Sequence, residues 1–347
     1  MASCNRGQIA SSKIDFVVTW VDGSDPDWVA LRSRYESNDE TVSAQANGED
    51  RYRDWGLIRY FFRSVCQCAP WVNKVHFVTY GHLPDWLDVS CPKLNIVRHE
   101  DFIPAEYLPT FNSNAIELNI HRIPDLAESF VLFNDDMLLT NKVNPDDFFH
   151  DGLPKLTAAL GAAEVVRQER FYVPVNNVAV LNDHFSPKDC VKAHPLKWLN
   201  PRYGKRAIQT LVMLAYPTFR GLYESHLPQA YLKSAFEKVW DAESAELERT
   251  CSHKFRTSTD VSHWLVKGWQ CAEGAFYPCP VSFGRSFFFG AEPEDTLAAV
   301  VGYLKDGKGK AVCLNDGKIP VDKYEQIAES VLQLLDTVYP DKCEFEL

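Results

Sequence analysis

No stretch of this chain is apolar over the ~20 residues needed to cross a bilayer. The polar opening from Met1 to Lys13 also has no apolar core of a secretory signal. These two absences predict a cytoplasmic protein. Positive charge is short as well: 36 lysines and arginines stand against 47 acids, a net charge of −11. A broad nucleic-acid footprint needs a basic face, so no nucleic-acid partner is expected. A local basic pocket for a phosphorylated small molecule remains open. The ten cysteines include no C-x-x-C pair and no histidine at zinc-finger spacing. Without a secretion signal they read as reduced thiols in apolar surroundings, and Cys313 reads as plain core. Internal repeats and low-complexity tracts are also missing.

The residues that are present say globular: 21 Phe, 14 Tyr and 9 Trp. A length of 347 residues suits one large α/β domain with an insertion. The pattern predicts a strand over Ile14–Val21, a loop over Ser37–Asp50 and a helix carrying Trp55, Ile58, Phe62 and Val65 on one face. A second strand follows at Lys74–Thr79, so strand, helix and strand make a right-handed βαβ unit. Leu94–Val97 reads as a third strand, Asn112–His121 as a short helix, Ser129–Phe133 as a strand and Asn144–Phe149 as a loop and turn. Val173–Leu181 reads as a return to the sheet. From about 186 to 276 helical patterns dominate, a helical insertion or subdomain. Residues 311–338 return to the sheet and end in an amphipathic helix. The expected organisation is a polar tail over 1–13 and a single catalytic domain over 14–347.

One string stands out. Phe130-Val131-Leu132-Phe133 runs into Asn134-Asp135-Asp136. A strand apolar on both faces is buried in a parallel sheet, and open α/β sheets place ligands at such strand ends. Two adjacent carboxylates repel each other unless a cation sits beside them, and Mg²⁺ or Mn²⁺ is the natural partner. A plain turn is the competing reading. The pattern recurs where Val17-Val18-Thr19-Trp20-Val21 meets Asp22-Gly23-Ser24-Asp25 and where Val312-Cys313-Leu314 meets Asn315-Asp316. Three such junctions suggest carboxylates and amides gathered along one sheet edge.

These residues resemble the Stealth family. Ile14-Asp15 through Asp25-Pro26 is similar to its first conserved region. Tyr52-Arg53-Asp54, Pro70-Trp71-Val72, Leu108 through Glu117, His121-Arg122-Ile123-Pro124 and Asn134-Asp135-Asp136 resemble the second. Ser225-His226-Leu227-Pro228, with Phe255-Arg256 and Asp260, resembles the third, and Cys313-Leu314-Asn315-Asp316 the fourth. The family comprises bacterial capsular polysaccharide phosphotransferases and the lysosomal-enzyme GlcNAc-1-phosphotransferase. The resemblance implies a GT-A-like (Rossmann-type), mostly parallel sheet flanked by helices. It also implies transfer of a sugar-1-phosphate from a nucleotide sugar, UDP-linked in the expectation, to a hydroxyl of a glycan or lipid-linked oligosaccharide. It marks Asp22 as another acid of the site. The chain lacks the extra modules and membrane spans of the animal enzyme, which favours a capsule or cell-surface polysaccharide role. Peripheral contact with the cytoplasmic face of the inner membrane stays open.

The chemistry suits the residues. In phosphoryl transfer charge spreads over phosphoryl oxygens, so metals and arginines do most of the work. Asp135 and Asp136, with Asp316, can hold the metal, and Asn315 can complete the shell or position the sugar. His226 can act as base, Arg256 can clamp the diphosphate, and Asp260 could orient either. Asn112 and Ser113 can N-cap their helix or bind sugar or phosphate, with Glu117 and Arg122 on the same path. Bland readings compete: a surface histidine, a surface arginine, a helix-capping Arg122. The lysines and arginines between 188 and 206 could meet an anionic acceptor or lipid, or form a solvated face. A metal-dependent glycosyltransferase releasing UDP and a non-catalytic nucleotide-sugar-binding protein are the alternative functions.

Overall fold

In a computed structural model of the chain, the described residues are 13–36, 52–164, 166 and 172–347. The expected loop over Ser37–Asp50 lies outside them, as does nearly all of the polar tail.

The centre is a five-stranded sheet in the order β3-β2-β1-β4-β8. Strands β1 (Ile14–Thr19), β2 (Val75–Thr79), β3 (Leu94–Arg98) and β4 (Ser129–Asn134) run parallel, and β8 (Gln229–Leu232) closes the edge antiparallel to β4. These strands are rich in branched and aromatic residues, as a pleated surface covered on both faces requires. Their side chains divide by the period of two. Phe16, Val18, Val131 and Phe133 join one core cluster, and Val17, Phe130 and Leu132 join another.

The first cluster packs under helix α2 (Leu57–Cys68), which starts after Gly56 in the left-handed region at φ 74°. Helix α1 (Pro26–Glu36) follows β1. The second cluster packs under α3 (Ser113–Leu118), α6 (Lys233–Ser252) and α7 (Trp264–Ala272). Helices α4 (Tyr172–His184) and α5 (Lys205–Met213) lie between them in the chain.

A second sheet, in the order β10-β11-β5, joins the first core. Its strands are β5 (Met137–Leu139), β10 (Gly284–Phe289) and β11 (Ala311–Asp316). A third small sheet holds β6 (Phe149–His150), β7 (Leu153–Leu156) and β9 (Tyr277–Pro278). Helices α8 (Pro293–Asp306) and α9 (Val321–Val338) cover the second sheet, α9 through Ile327, Val331 and Leu335 at a four-residue spacing. The chain ends locked in place: Arg59 and Arg63 both bind the buried Glu346 carboxylate, at 2.6 and 2.7 Å.

The structure is therefore α/β with a mostly parallel main sheet, and β1 to β4 stand where the sequence pattern puts them. Three local expectations change. Val173–Leu181 is helix, not strand. Pro174 falls in the first turn, where a missing N–H costs nothing, and Asn177, Val178 and Leu181 form its buried side. Asn144–Phe149 contains a helical turn, Pro145–Phe148, closed by a capping box between Asn144 and Asp147. The mostly helical stretch 186–276 includes β8, which completes the main sheet.

Candidate active site

Strand order 3-2-1-4 sends the chain to one side after β1 and back to the other side for β4. The reversal leaves a crevice at the carboxyl ends of β1 and β4, where doubly wound sheets bind ligands. A cleft of about 130 Å³ opens there. Thr19, Trp20 and Val21 line it from β1, and Asn134 and Asp135 from β4. Trp28, Tyr52 and Phe111 form an aromatic wall, and Ser113, Glu117 and Arg256 face them. Gly23 is required beside this cleft, because a Cβ there would lie 1.9 Å from the Tyr52 carbonyl oxygen.

Asp135 and Asp136 form the turn that carries the chain from β4 in the first sheet to β5 in the second. Asp135 lines the cleft. Asp136 faces β11, where its Oδ2 accepts from the Asn315 amide at 2.9 Å and from Cys313 Sγ at 3.2 Å. His226 Nε2 stands 3.6 Å from the same oxygen. The two neighbouring carboxyls have opposite electrostatics. Burial, then the charges of Asp136 and Asp54, push Asp135 well above the usual carboxylate range. Burial would raise Asp136 too, but bonding to His226, Asn315 and Cys313 outweighs it and holds that group below its ordinary value. For His226 burial opposes the charged ring, yet Asp136 and then Glu117 outweigh it and the net shift is upward.

This corner fits a divalent cation. Asp136 Oδ1 is buried with no hydrogen-bond partner among the described residues, and burial and acidic neighbours disfavour the charge of Asp135 beside it. Ligand atoms of Asp136, His226 and Cys313 also lie within 4.8 Å of one another. Imidazole and thiol suit softer ions, and a hard ion would use the carboxylate oxygens of Asp135 and Asp136.

On the other wall, Glu117 is buried and its carboxyl is pushed up to about 7 by burial, against the lowering charges of Arg256 and His226. His263 Nε2 lies 3.5 Å from Glu117, and the opposite ring nitrogen meets the Tyr231 hydroxyl at 2.6 Å. Burial lowers His263 to about 3, so it is neutral. Arg256 Nη2 donates to Ser113 Oγ at 2.7 Å, which fixes the guanidinium at the mouth of α3.

Known proteins bear on this site. Residues 12–40 match the model of Stealth protein conserved region 1, and residues 51–156 match that of conserved region 2. The chain is 38% identical over 336 residues to a capsular polysaccharide phosphotransferase, WcwK, of Streptococcus pneumoniae, covering 96% of this chain and 98% of that one. It is 40% identical over 338 residues to a receptor polysaccharide phosphotransferase, WefC, of Streptococcus oralis, covering 97% and 100%.

The chain belongs to the Stealth family.

An exopolysaccharide phosphotransferase of Lactiplantibacillus plantarum is 36% identical over 334 residues, covering 96% of each chain. Among solved structures, a galactosyltransferase, LgtC, in complex with donor and acceptor sugar analogs is similar at 12% identity and a TM-score of 0.39, over 93% of this chain and 95% of that one. Relatives of this coverage make this Stealth protein a transferase enzyme.

Other expected site residues of the Stealth protein are engaged in bonds of their own. Asn112 is buried, caps α3 by accepting from Asn114 N at 3.0 Å, and donates to Asp260 at 2.8 Å. Asp260 is fully buried and binds Asn112, Asn114, Thr257 and His253, so it anchors the loop that carries Arg256 and does not orient His226. Arg122 is exposed and lies 4.7 Å over the Trp240 ring. Asp22 closes its own turn by accepting from Ser24 N and Oγ. Asp316 points away from Asp136: alternate residues of β11 face opposite sides, so Cys313 and Asn315 reach Asp136 while Asp316 pairs with Arg53 at 2.7 Å. The expected edge of three junctions is thus two strand ends of one sheet joined to a second sheet through Asn315.

Sequence reasoning also passed over residues. Cys313 touches Asp136 and is more than core. Asp54 bonds Trp20 Nε1 at 3.2 Å, and its carboxyl is raised by burial and by the charge of Asp22. Its place after Tyr52-Arg53 in the second conserved region was the available signal. Nothing local in the sequence distinguishes His263 from any other core histidine.

Proposed function

We propose that the chain transfers a sugar-1-phosphate from a nucleotide sugar to a hydroxyl of a glycan or lipid-linked acceptor in capsule or cell-surface polysaccharide synthesis. The observation that carries this reading is the grouping at the switch point. Arg256, Glu117 and Asp135 share one cleft, and the His226–Asp136 pair stands beside it.

The acceptor oxygen attacks the phosphorus that bears the sugar, the bond from that phosphorus to the nucleotide breaks, and a nucleoside monophosphate leaves. His226 takes the acceptor proton. With Nε2 turned to Asp136, Nδ1 is the nitrogen that receives it, and Asp136 stabilises the imidazolium that forms. Arg256, held by Ser113, meets the phosphoryl oxygens with its planar fork. Glu117, its carboxyl raised to about 7, changes charge near neutral pH within the field of Arg256 and His226. Trp28, packed on Tyr52 and Phe111, gives the donor cleft a fixed apolar wall. Mg²⁺ or Mn²⁺, held by Asp135 and Asp136, would neutralise charge developing on the diphosphate. Among the described residues no helix is long and apolar enough to cross a membrane. We place the enzyme at the cytoplasmic face of the membrane.

A panel of nucleotide sugars with Mg²⁺ or Mn²⁺ tests the reading. The expected products are a nucleoside monophosphate and a phosphodiester visible by phosphorus NMR, with the sugar's anomeric configuration retained. Release of nucleoside diphosphate with no phosphorus in the product would make the chain a glycosyltransferase.

A further inference from the structure

Helix α5 is turned inside out. Ile208, Leu211 and Val212 fall at i, i+3 and i+4 on one face, yet they are 65%, 55% and 64% exposed. Its buried side carries a polar residue, Thr210, whose hydroxyl accepts from Leu160 N at 3.0 Å and donates to the Arg206 carbonyl. Further apolar side chains are exposed in the flanking segments: Leu196 at 83% before the helix and Tyr216 at 44% after it. A helix whose apolar stripe has no partner among the described residues marks an interaction surface.

Charge says what covers it. Residues 187–222 carry seven lysines and arginines (Lys188, Lys192, Lys197, Arg202, Lys205, Arg206 and Arg220) and one acid, Asp189, in a chain whose net charge is −11. All but Lys197 are exposed. Aliphatic side chains fringed by cations are the composition of an interfacial helix that lies in the headgroup plane of an anionic bilayer. A second copy of the chain is a poor occupant, because a two-fold contact would set this same positive surface against itself.

We propose that α5 and its flanks, residues 196–216, form a docking surface for an anionic lipid bilayer. Ile208, Leu211 and Val212 enter the acyl boundary, and Arg202, Lys205 and Lys192 meet lipid phosphates. The position has a consequence for catalysis. Four residues after Leu222, where this segment pairs with Leu160, the chain reaches His226. A lipid-linked acceptor would present its hydroxyl at the bilayer on which this surface docks. That last clause rests on the function proposed above, and the surface itself does not.

Co-sedimentation of the full chain with vesicles tests the surface without any donor or acceptor. The chain should partition onto vesicles of phosphatidylcholine with phosphatidylglycerol and remain in solution with phosphatidylcholine alone. Leu211→Ser with Val212→Ser, and separately Lys192→Glu with Lys205→Glu, should each lower partitioning at least about tenfold. Turnover of a soluble acceptor should not change, since these side chains are exposed and outside the cleft. Equal binding to both vesicle types, or variants that sediment as the wild type does, would overturn the proposal. So would a wild-type dimer in solution that Leu211→Ser with Val212→Ser abolishes, because the face would then belong to a second copy. Loss of vesicle binding with transfer intact, or the reverse, separates this surface from the catalytic reading.

Discussion

The main sheet buries aspartates at both of its ends, and the two ends treat them in opposite ways. At the amino end of β1, Asp15 is fully buried and bonded on every side: Asn73 Nδ2 at 2.6 Å, Ala127 N at 2.9 Å and His76 Nε2 at 3.1 Å. Burial would raise its carboxyl, but those bonds outweigh it and the group stays below its ordinary value. At the carboxyl end of β4, Asp135 is pushed far up by burial and by its acidic neighbours, and one oxygen of Asp136 is buried with no partner among the described residues. Carboxylates of the same kind, in one sheet, are closed at one end and open at the other. A closed network makes structure. An open one is completed by something the fold itself does not supply, which at a strand-order reversal is a ligand.

The largest test of that contrast exchanges the two ends. His226→Ala should lower turnover about 10²–10⁴-fold, the usual worth of a general base, and Asp136→Asn should abolish most activity with little change in Tm. Asp15→Asn should do the reverse. It should cost about 3 kcal/mol of stability by breaking a buried charged network, with turnover per folded molecule retained. Denaturation curves beside single-turnover rates check both. Arg256→Lys comes next. A point charge does not replace a planar fork, so transfer should fall by about 10² with the fold intact, measured as kcat on the soluble acceptor.

Two buried glutamates sharpen the comparison further, because their pH effects have opposite signs. Glu346 is held at about 2, since Arg63 and Arg59 outweigh its burial. A depressed carboxylate stabilises the fold above its unfolded pKa near 4.5 and loses that contribution as pH falls toward 2, about 3 kcal/mol in all. Glu346→Gln should flatten urea stability over that window. Glu117 is raised to about 7, so the native state holds an extra proton between about pH 4.5 and 7 and stability falls as pH rises through that range. Glu117→Gln should therefore stabilise the protein at pH 8 by up to about 3 kcal/mol. It should also remove a limb near pH 7 from the kcat/KM profile. A gain in stability coupled to a loss of activity is the mark of an open site.

What could be read in the sequence follows the same division. β1, β2, β3 and β4 announce themselves because strands covered on both faces are continuous apolar runs, and Asp135 and Asp136 stand out because such a run ends in paired acids. β8 hides because four residues behind Pro228, in a helical setting, carry no period of their own. The α4 segment misleads because its valines favour strands locally, while packing of Asn177, Val178 and Leu181 decides for helix. Site residues that act through the backbone ends of strands are visible, as are His226 and Arg256, which sit in motif-like strings. Partners brought in by register are not. That Asn315 and Cys313 reach Asp136, while Asp316 turns to Arg53, depends on how β11 pairs with β5. That Asp260 anchors Asn112 rather than orienting His226 depends on a contact 148 positions long.

The contrast between the two ends is tested most directly by binding Mn²⁺ to the protein, with and without a nucleoside diphosphate, followed by electron paramagnetic resonance or calorimetry. The wild type and Asp15→Asn, held at a temperature where it is folded, should bind one ion, and Asp135→Asn and Asp136→Asn should lose it. Equal affinity in all four proteins would contradict the account, because the open carboxylates at the carboxyl end of β4 would then not be the cation site.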